Sequence, residues 1–321
     1  MRVVPRGYGV RASVRAPARF FAVVLCAALL LAACGRPGAT PTPSGPAADP
    51  DAIHVVTTTT ILADLVRQVG GTRVVVTSLV PKGGEVHTFD PRPSSMRAVA
   101  AAELVVRNGL GLDDWLAGLI TNTGSTAPLV AVAEDLPGVT YLRAADGVIN
   151  PHVWMNPRYA SAMAAKIAAE LALVDPGHTG RYVAGLAAFQ TRLAALDADA
   201  AAALAVIPQT HRTVVAFHDA FPYFAEAYGL AIDGTIVAAP GQDPSAGTVA
   251  HLVARIRADG IRAIFAEAQF NDELAQTLAR ETGAAVVTDL YTDSTGDAPR
   301  DTYEGVTRWN VARVAAALLA P

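Results

Sequence analysis

Two runs of alternating strand-like and helix-like segments, separated by one long helical stretch, limit what this chain can fold into. In the first run, strands are expected at Ile53–Thr58, Arg73–Val80, Leu104–Val106 and Leu129–Val132. Between them the spacing predicts helices at Ile61–Val69, after Ser94 or Ser95, and at Leu112–Ile120. Gly70-Gly71 closes the first helix, and Ser94 or Ser95 is expected to cap the second. Strands joined through helices pair in parallel, because a crossover is needed to bring the next strand alongside the last.

The middle of the chain breaks this rhythm. Pro157–Val174 reads as a helix, and Asp175-Pro176 as the cap and first turn of another. In that second helix Tyr182, Leu186, Phe189, Leu193, Leu196 and Leu204 keep near-helical spacing, and Pro208 stops it. At about 30 residues it would span roughly 40 Å. The alternation then restarts, with strands expected at Thr213–Phe217, Leu230–Val237, Ala263–Ala266 and Ala285–Thr288. Helices are expected at Ala220–Tyr228, Ser245–Asp259, Asp272–Thr282 and Tyr303–Leu319. The reading is an α/β fold of two βα lobes with mainly parallel sheets joined by a long linking helix. The lobes span residues 52–175 and 208–321, and the helix 176–207. A cleft between two such lobes is a favoured place for a ligand.

The N-terminus bears on location. Arg2, Arg6, Arg11, Arg15 and Arg19 precede Phe20–Ala33, an apolar run of fourteen residues that is short for a membrane span. Residues 1–33 therefore read as a secretory leader. The run ends in Leu31-Ala32-Ala33-Cys34-Gly35, which resembles the bacterial lipoprotein cleavage box and implies lipid on Cys34. Residues 34–51, rich in Pro, Gly, Ala and Thr, are expected to be a flexible tether. The expected location is extracytoplasmic, anchored to the cell membrane.

Losing the leader changes composition in two ways. Five of the 25 Lys and Arg leave with it, so 20 basic residues face 29 acidic ones, which argues against nucleic acid as a partner. Cys26 leaves and Cys34 is spoken for, so the folded part has no disulfide and offers no thiolate to a metal. Roughly 270 residues remain, enough for a large core without staples.

Four ligand-type residues then occupy equivalent positions. His87, His152 and His218 each lie in a short loop just past an apolar strand-like run, and Asp293 lies in a fourth such loop. Imidazole and carboxylate are what borderline divalent metals take, and ligands of α/β sheets collect at strand carboxyl ends. Glu267 also ends a strand and is the rival carboxylate. Asp219 is placed to support the imidazole of His218, or simply to begin the next helix. His54, His178, His211 and His251 read as structural or surface residues.

Four motifs carry a resemblance. They are Val86-His87-Thr88-Phe89-Asp90-Pro91-Arg92-Pro93-Ser94, Asn108-Gly109-Leu110-Gly111-Leu112-Asp113-Asp114-Trp115, Asn150–Pro157, and Phe217-His218-Asp219-Ala220-Phe221-Pro222-Tyr223-Phe224. In order and spacing the chain from about residue 53 onward resembles the zinc- and manganese-binding solute-binding lipoproteins of bacterial ABC importers. The resemblance implies a periplasmic-binding-protein-like fold of the metal-binding type, with one metal between two lobes joined by a rigid helix. It puts the ligands at His87, His152, His218 and Asp293, and it implies a permease subunit of a metal importer as partner. A monomer that captures and delivers its cation, and is not an enzyme, is expected.

Departures from the family bear on the metal. Val86 stands where members often have Pro, and Val139–Asn150 lacks the His-rich insertion of many zinc-dedicated members. His218 stands where manganese-dedicated members usually have Glu. Nitrogen-rich ligation favours Zn²⁺, with Mn²⁺ as the alternative. Neutral histidines are needed, so affinity is expected to fall below about pH 6.5. Two other readings are a metal-dependent hydrolase using Glu267 as base and a surface adhesin of the same fold. No H-E-x-x-H, G-x-S-x-G or P-loop accompanies the first, and no separate adhesive module the second.

Overall fold

Short β-branched segments become strands in this chain because neighbours cover both their faces. The computed structural model describes residues 49–144, 147–237 and 244–320, and in it β1 (Ile53–Thr57) is buried everywhere but His54. Then come α1 (Thr60–Gly70), β2 (Val74–Ser78), α2 (Pro93–Ala100), β3 (Leu104–Arg107), α3 (Trp115–Thr123) and β4 (Leu129–Ala131). These strands form one parallel sheet in the order β2-β1-β3-β4, with Val55 flanked by Val76 and Leu104.

Two helices, α4 (Pro157–Val174) and α5 (Thr179–Ala205), precede the second half. That half runs β5 (Thr213–Ala216), α6 (Pro222–Tyr228), β6 (Ala231–Thr235), α7 (Ala246–Asp259) and β7 (Ala263–Glu267), then α8 (Glu273–Thr282), β8 (Ala285–Leu290) and α9 (Tyr303–Leu319). Its sheet, β6-β5-β7-β8, is again wholly parallel. The fold is thus two parallel-sheet α/β lobes, and all described residues fall in the unit Pro46–Pro321. In each sheet the chain steps from the inner first strand to one edge, then crosses to the other side. A switch point results between β1 and β3 and another between β5 and β7, where strand carboxyl ends leave a crevice.

Helix ends follow local chemistry, with two corrections. Asn156 caps α4 by accepting from Arg158 N–H, and Ser245 caps α7 by accepting from Thr248 N–H. The serines expected to cap α2 lie inside it: the helix starts at Pro93, and Ser95 Oγ accepts from the N–H of Arg92. Asp175 does not cap the long helix either. A 3-10 turn at Pro176–His178 intervenes, and the Asp175 carboxylate takes Arg73, the Tyr182 hydroxyl and His178 instead. The guanidinium of Arg73, from the 3-10 turn just before β2, is the stronger partner.

Helix α5 has 27 residues, about 40 Å of rise. It buries Tyr182, Phe189, Leu193, Leu196, Ala200 and Leu204, while Leu186 of the expected stripe is half-buried. The helix packs on α1 and α4 from the first half and on α6 and α9 from the second. Contact with α1 is so close that a Cβ at Gly185 would collide with the carbonyl oxygen of Val69. The main core is continuous through both halves, from Leu65 and Ile167 to Phe224 and Val314.

No helix of the described residues is long and apolar enough to cross a membrane. The leader, Cys34 and the tether up to residue 48 lie outside the described residues. Asp49, expected in the tether, donates its N–H to Thr72 and faces Arg73 at 3.4 Å.

Candidate metal centre

Each of the four expected residues sits in a loop whose shape other side chains hold. His87 lies between β2 and α2. Its N–H donates to Glu85 Oε1 at 2.6 Å, and Trp115 Nε1 donates to the carbonyl of Val86 just before it at 2.9 Å. His152 is fixed by Asn150, whose Oδ1 accepts from the His152 N–H (3.0 Å) and from Nδ1 (2.9 Å). An amide oxygen only accepts, so Nδ1 carries the proton and Nε2 presents a lone pair. The Asn108-Gly109-Leu110-Gly111 turn supports the same loop, because Asn108 Nδ2 donates to Pro151 O at 3.1 Å. That turn needs φ of +86° and +84° at its two glycines, and Asp113 accepts from the N–H groups of Asn108 and Gly109.

His218 stands two residues past β5, and Asp293 three residues past β8. The Asp293 loop is tied to the first half: Trp154 Nε1 donates to Thr292 O at 2.8 Å, and Gly83 N–H to Ser294 Oγ at 2.8 Å. Asn310 on α9 both donates to and accepts from the Tyr291 backbone.

The structure brings His87, His152, His218 and Asp293 together, with one ligand-type atom of each within 4.8 Å of all the others. Asp293 Oδ2 is 3.7 Å from His87 Nε2 and 3.6 Å from His218 Nε2, and its Oδ1 is 3.5 Å from His152 Nε2. The Nε2 atoms of His152 and His218 are 3.3 Å apart. Side-chain exposure is 19% for His87 but only 3%, 1% and 0% for His152, His218 and Asp293. His87 Nε2 and both Asp293 oxygens are buried with no hydrogen-bond partner. Buried polar atoms left so are costly, about 1–3 kcal/mol each or more for a charged group.

Glu267 and Asp219 differ from expectation. Glu267, the rival fourth residue, lies behind His218, its Oε1 2.8 Å from Nδ1, with an angle too poor for a regular hydrogen bond. A register shift in β7 between Phe265 and Glu267 accompanies that placement. The carboxylate beside the imidazole of His218 is therefore Glu267. Asp219 instead accepts from Asn150 Nδ2, at its backbone oxygen (2.6 Å) and at Oδ2 (3.0 Å), and so acts on the His152 loop. Of the remaining histidines, His178 pairs with Asp175, His211 bridges Leu318 O and Arg262, and the side chains of His54 and His251 are exposed.

Electrostatics divides the cluster. Burial, with the neighbouring His218 charge, lowers His87 to about 3 and holds His152 well below the usual imidazole range. Burial opposes charge on His218 too, but Glu267, Asp293 and Glu85 outweigh it and push the group up to about 9. Burial raises Asp293 to about 7, against the opposing pull of His218. Without a cation, the centre therefore keeps one imidazolium among two neutral rings.

Supporting residues were less visible in sequence than ligand-type ones. Asn150, Asn108 and Trp115 fall inside the quoted motifs, but nothing in their spacing says which histidine each serves. Glu85 had no sequence signal beyond being acidic near His87.

The profile described as zinc-uptake complex component A, periplasmic (ZnuA) matches residues 55–317. The manganese-binding lipoprotein MntA of Halalkalibacterium halodurans is 30% identical over 294 residues, covering 91% of this chain and 95% of its own. The periplasmic zinc binding protein TroA from Treponema pallidum superposes with a TM-score of 0.78 at 26% identity, covering 84% of this chain and 100% of TroA. A crystal structure of ZnuA gives 0.74 at 28% identity, over 84% of this chain and all of the other. With the fold, the loop positions and the match over most of its length in agreement, the chain belongs to the ZnuA family.

Proposed function

We propose that this chain captures a divalent transition-metal cation between its lobes and hands it to the permease of an ABC importer. His87, His152 and His218 supply Nε2, and Asp293 supplies carboxylate oxygen. The observation that carries this reading is the convergence of four ligand-type side chains from four loops, with His87 Nε2 and both Asp293 oxygens buried and partnerless among them. Four donors at bond lengths of about 2.0–2.2 Å around a tetrahedral ion lie about 3.3–3.6 Å apart. Four of the six separations, 3.3, 3.5, 3.6 and 3.7 Å, fall close to that spacing. The His152 tautomer fixed by Asn150 and the carboxylate behind His218 are the outer contacts that histidine ligands of metals use.

Three nitrogens and no thiolate favour Zn²⁺. Manganese is the second reading, supported by the likeness to a relative named for it. Lipid on Cys34 would hold the receptor at the outer face of the cell membrane, as a monomer. Glu267, the base that the hydrolase reading would use, is buried against His218, its Oε1 2.8 Å from Nδ1.

The test is metal analysis of the mature protein, with competition titrations of Zn²⁺ and Mn²⁺. One tightly held cation per chain, lost in His152→Ala, is expected. No cation after metal-loaded refolding would overturn the proposal, and tighter binding of Mn²⁺ would overturn the choice of metal.

A further inference from the structure

The four converging residues are not equally sealed, and the least buried of them, His87, ends a short strap of chain. The strap, residues 81–85, is anchored at both ends. Val80 is buried and donates its N–H to Thr58 O at 3.1 Å, while Val86 is buried and its carbonyl accepts from Trp115. Between these anchors Pro81, Lys82 and Gly83 are exposed, and Gly83 sits at φ +67°, beside a second glycine, so the middle is free to move. It meets the second half of the molecule at Gly83, whose N–H donates to Ser294 Oγ at 2.8 Å, and at Lys82, 3.5 Å from Asp297. The Lys82–Asp297 pair is open to solvent on both sides and holds little. Ser294 is different, being buried and directly next to Asp293. Its hydroxyl donates to Thr295 O at 2.8 Å and lies 3.2 Å from Thr60 Oγ1 at the start of α1. Thr60 Oγ1 accepts the Thr295 N–H at 2.8 Å, which leaves its own proton for Ser294. One hydroxyl thus fastens the strap that leads to His87 onto the loop that carries Asp293.

Resting on the reading of the centre as a cation site, we propose that Ser294 is the latch of its entrance. Parting Gly83 from Ser294 lets the strap lift between Val80 and Val86 and opens the centre on the side between His87 and Asp293. Remaking the bond closes it. The ligands keep their places meanwhile, because Trp154 and Asn310 hold the Asp293 loop and Asn150 holds His152 from elsewhere. Ser294 is a positioning residue and makes no bond to the cation. The latch is the same bond in the filled and the empty molecule, so it sets loading and release together and leaves affinity nearly untouched.

The experiment is stopped-flow loading of the mature protein with Zn²⁺, and release to an excess chromophoric chelator, in wild type, Ser294→Ala, Thr60→Val and Lys82→Ala. Tryptophan emission follows loading, since the Trp154 ring lies 5.3 Å from that of His152. Ser294→Ala should speed loading and release alike by about tenfold, the worth of one or two hydrogen bonds, with the dissociation constant within about twofold. Thr60→Val removes one partner of the hydroxyl and should raise both rates by about threefold. It decides the matter by the same joint rise if Ser294→Ala does not fold. Lys82→Ala should stay within about twofold of wild type. Hydrogen exchange gives a second readout: in Ser294→Ala the peptides covering residues 81–87 should exchange faster while those of α5 do not change. Unchanged rates overturn the latch. Faster release with loading unaltered, and hence weaker binding, overturns it by making Ser294 a static support of Asp293. An effect of Lys82→Ala as large as that of Ser294→Ala overturns it by assigning closure to the surface ion pair. Wild type that holds no cation fails the underlying reading, whereas wild type that loads normally beside an unaffected Ser294→Ala fails the latch alone.

Discussion

Glu267 faces His218 across 2.8 Å at Nδ1, the ring nitrogen opposite the one turned to Asp293. In the proposed centre it would orient His218 and add charge without taking a ligand position. Glu267→Gln should thus weaken cation binding about 10–100-fold while stoichiometry stays at one. Asp293→Ala should weaken it further. Competition titration of the two variants decides the matter, and equal or greater damage from Glu267→Gln would exchange their roles.

Asn150 serves His152 twice and is itself held by Asp219. Asn150→Ala frees the imidazole to rotate and to take the other tautomer, and about tenfold weaker binding is expected. Thermal unfolding of the empty protein separates this from a general loss of structure. If the variant melts as wild type does and still binds as tightly, the bond to Nδ1 contributes nothing to the centre.

The pH dependence follows from the two displaced groups. A cation needs neutral His218 and ionised Asp293, whereas the empty centre holds the first protonated to about 9 and the second to about 7. Between these values uptake releases one proton and affinity should rise about tenfold per pH unit, more steeply below 7. The window lies above the expected 6.5, because His87 and His152 are already neutral throughout. For the empty protein the sign is opposite. The stability that charged His218 contributes is full below about 6.5 and lost as pH rises through about 9. The raised Asp293 likewise weakens the empty fold as pH climbs toward 7. Titration calorimetry in buffers of different ionisation heat measures the released protons, and an affinity flat from 6 to 9 would contradict the assignment.

Two glycines of α5 should respond to alanine with opposite signs. A Cβ at Gly180 meets nothing, so Gly180→Ala should stabilise by about 0.5–1 kcal/mol. At Gly185 it would strike the Val69 carbonyl, and Gly185→Ala should destabilise by about 1–3 kcal/mol. Urea unfolding of both variants measures the pair, and like signs would mean the contact between α5 and α1 gives way easily.

What could be read from the sequence was whatever depended on near neighbours. Pro157–Val174 and Tyr303–Leu319 appear within their expected bounds because Asn156-Pro157 and Thr302 start those helices from adjacent residues. Asp175 was misread because its partners, Arg73 and Tyr182, come from elsewhere. The same holds around the centre. The four converging residues were visible as ligand types at strand ends, but the order of their surroundings was not. Asp219 adjoins His218 in the chain yet turns to Asn150, while Glu267 arrives from a neighbouring strand. Adjacency in sequence does not say which way a side chain turns once a strand has ended. Glu85 gives no signal in sequence for a related reason, since an unpaired oxygen is a property of packing.

Helix α5 is gripped along its length by α1 and α4 from one half and by α6 and α9 from the other. A beam clamped by both halves cannot bow far without tearing the continuous core beneath it. Solution scattering curves of filled and empty protein should therefore nearly superimpose. Whatever tells a downstream partner that cargo is aboard has to be written in the rim of loops, on a scale of an ångström or two, and not in the outline of the molecule.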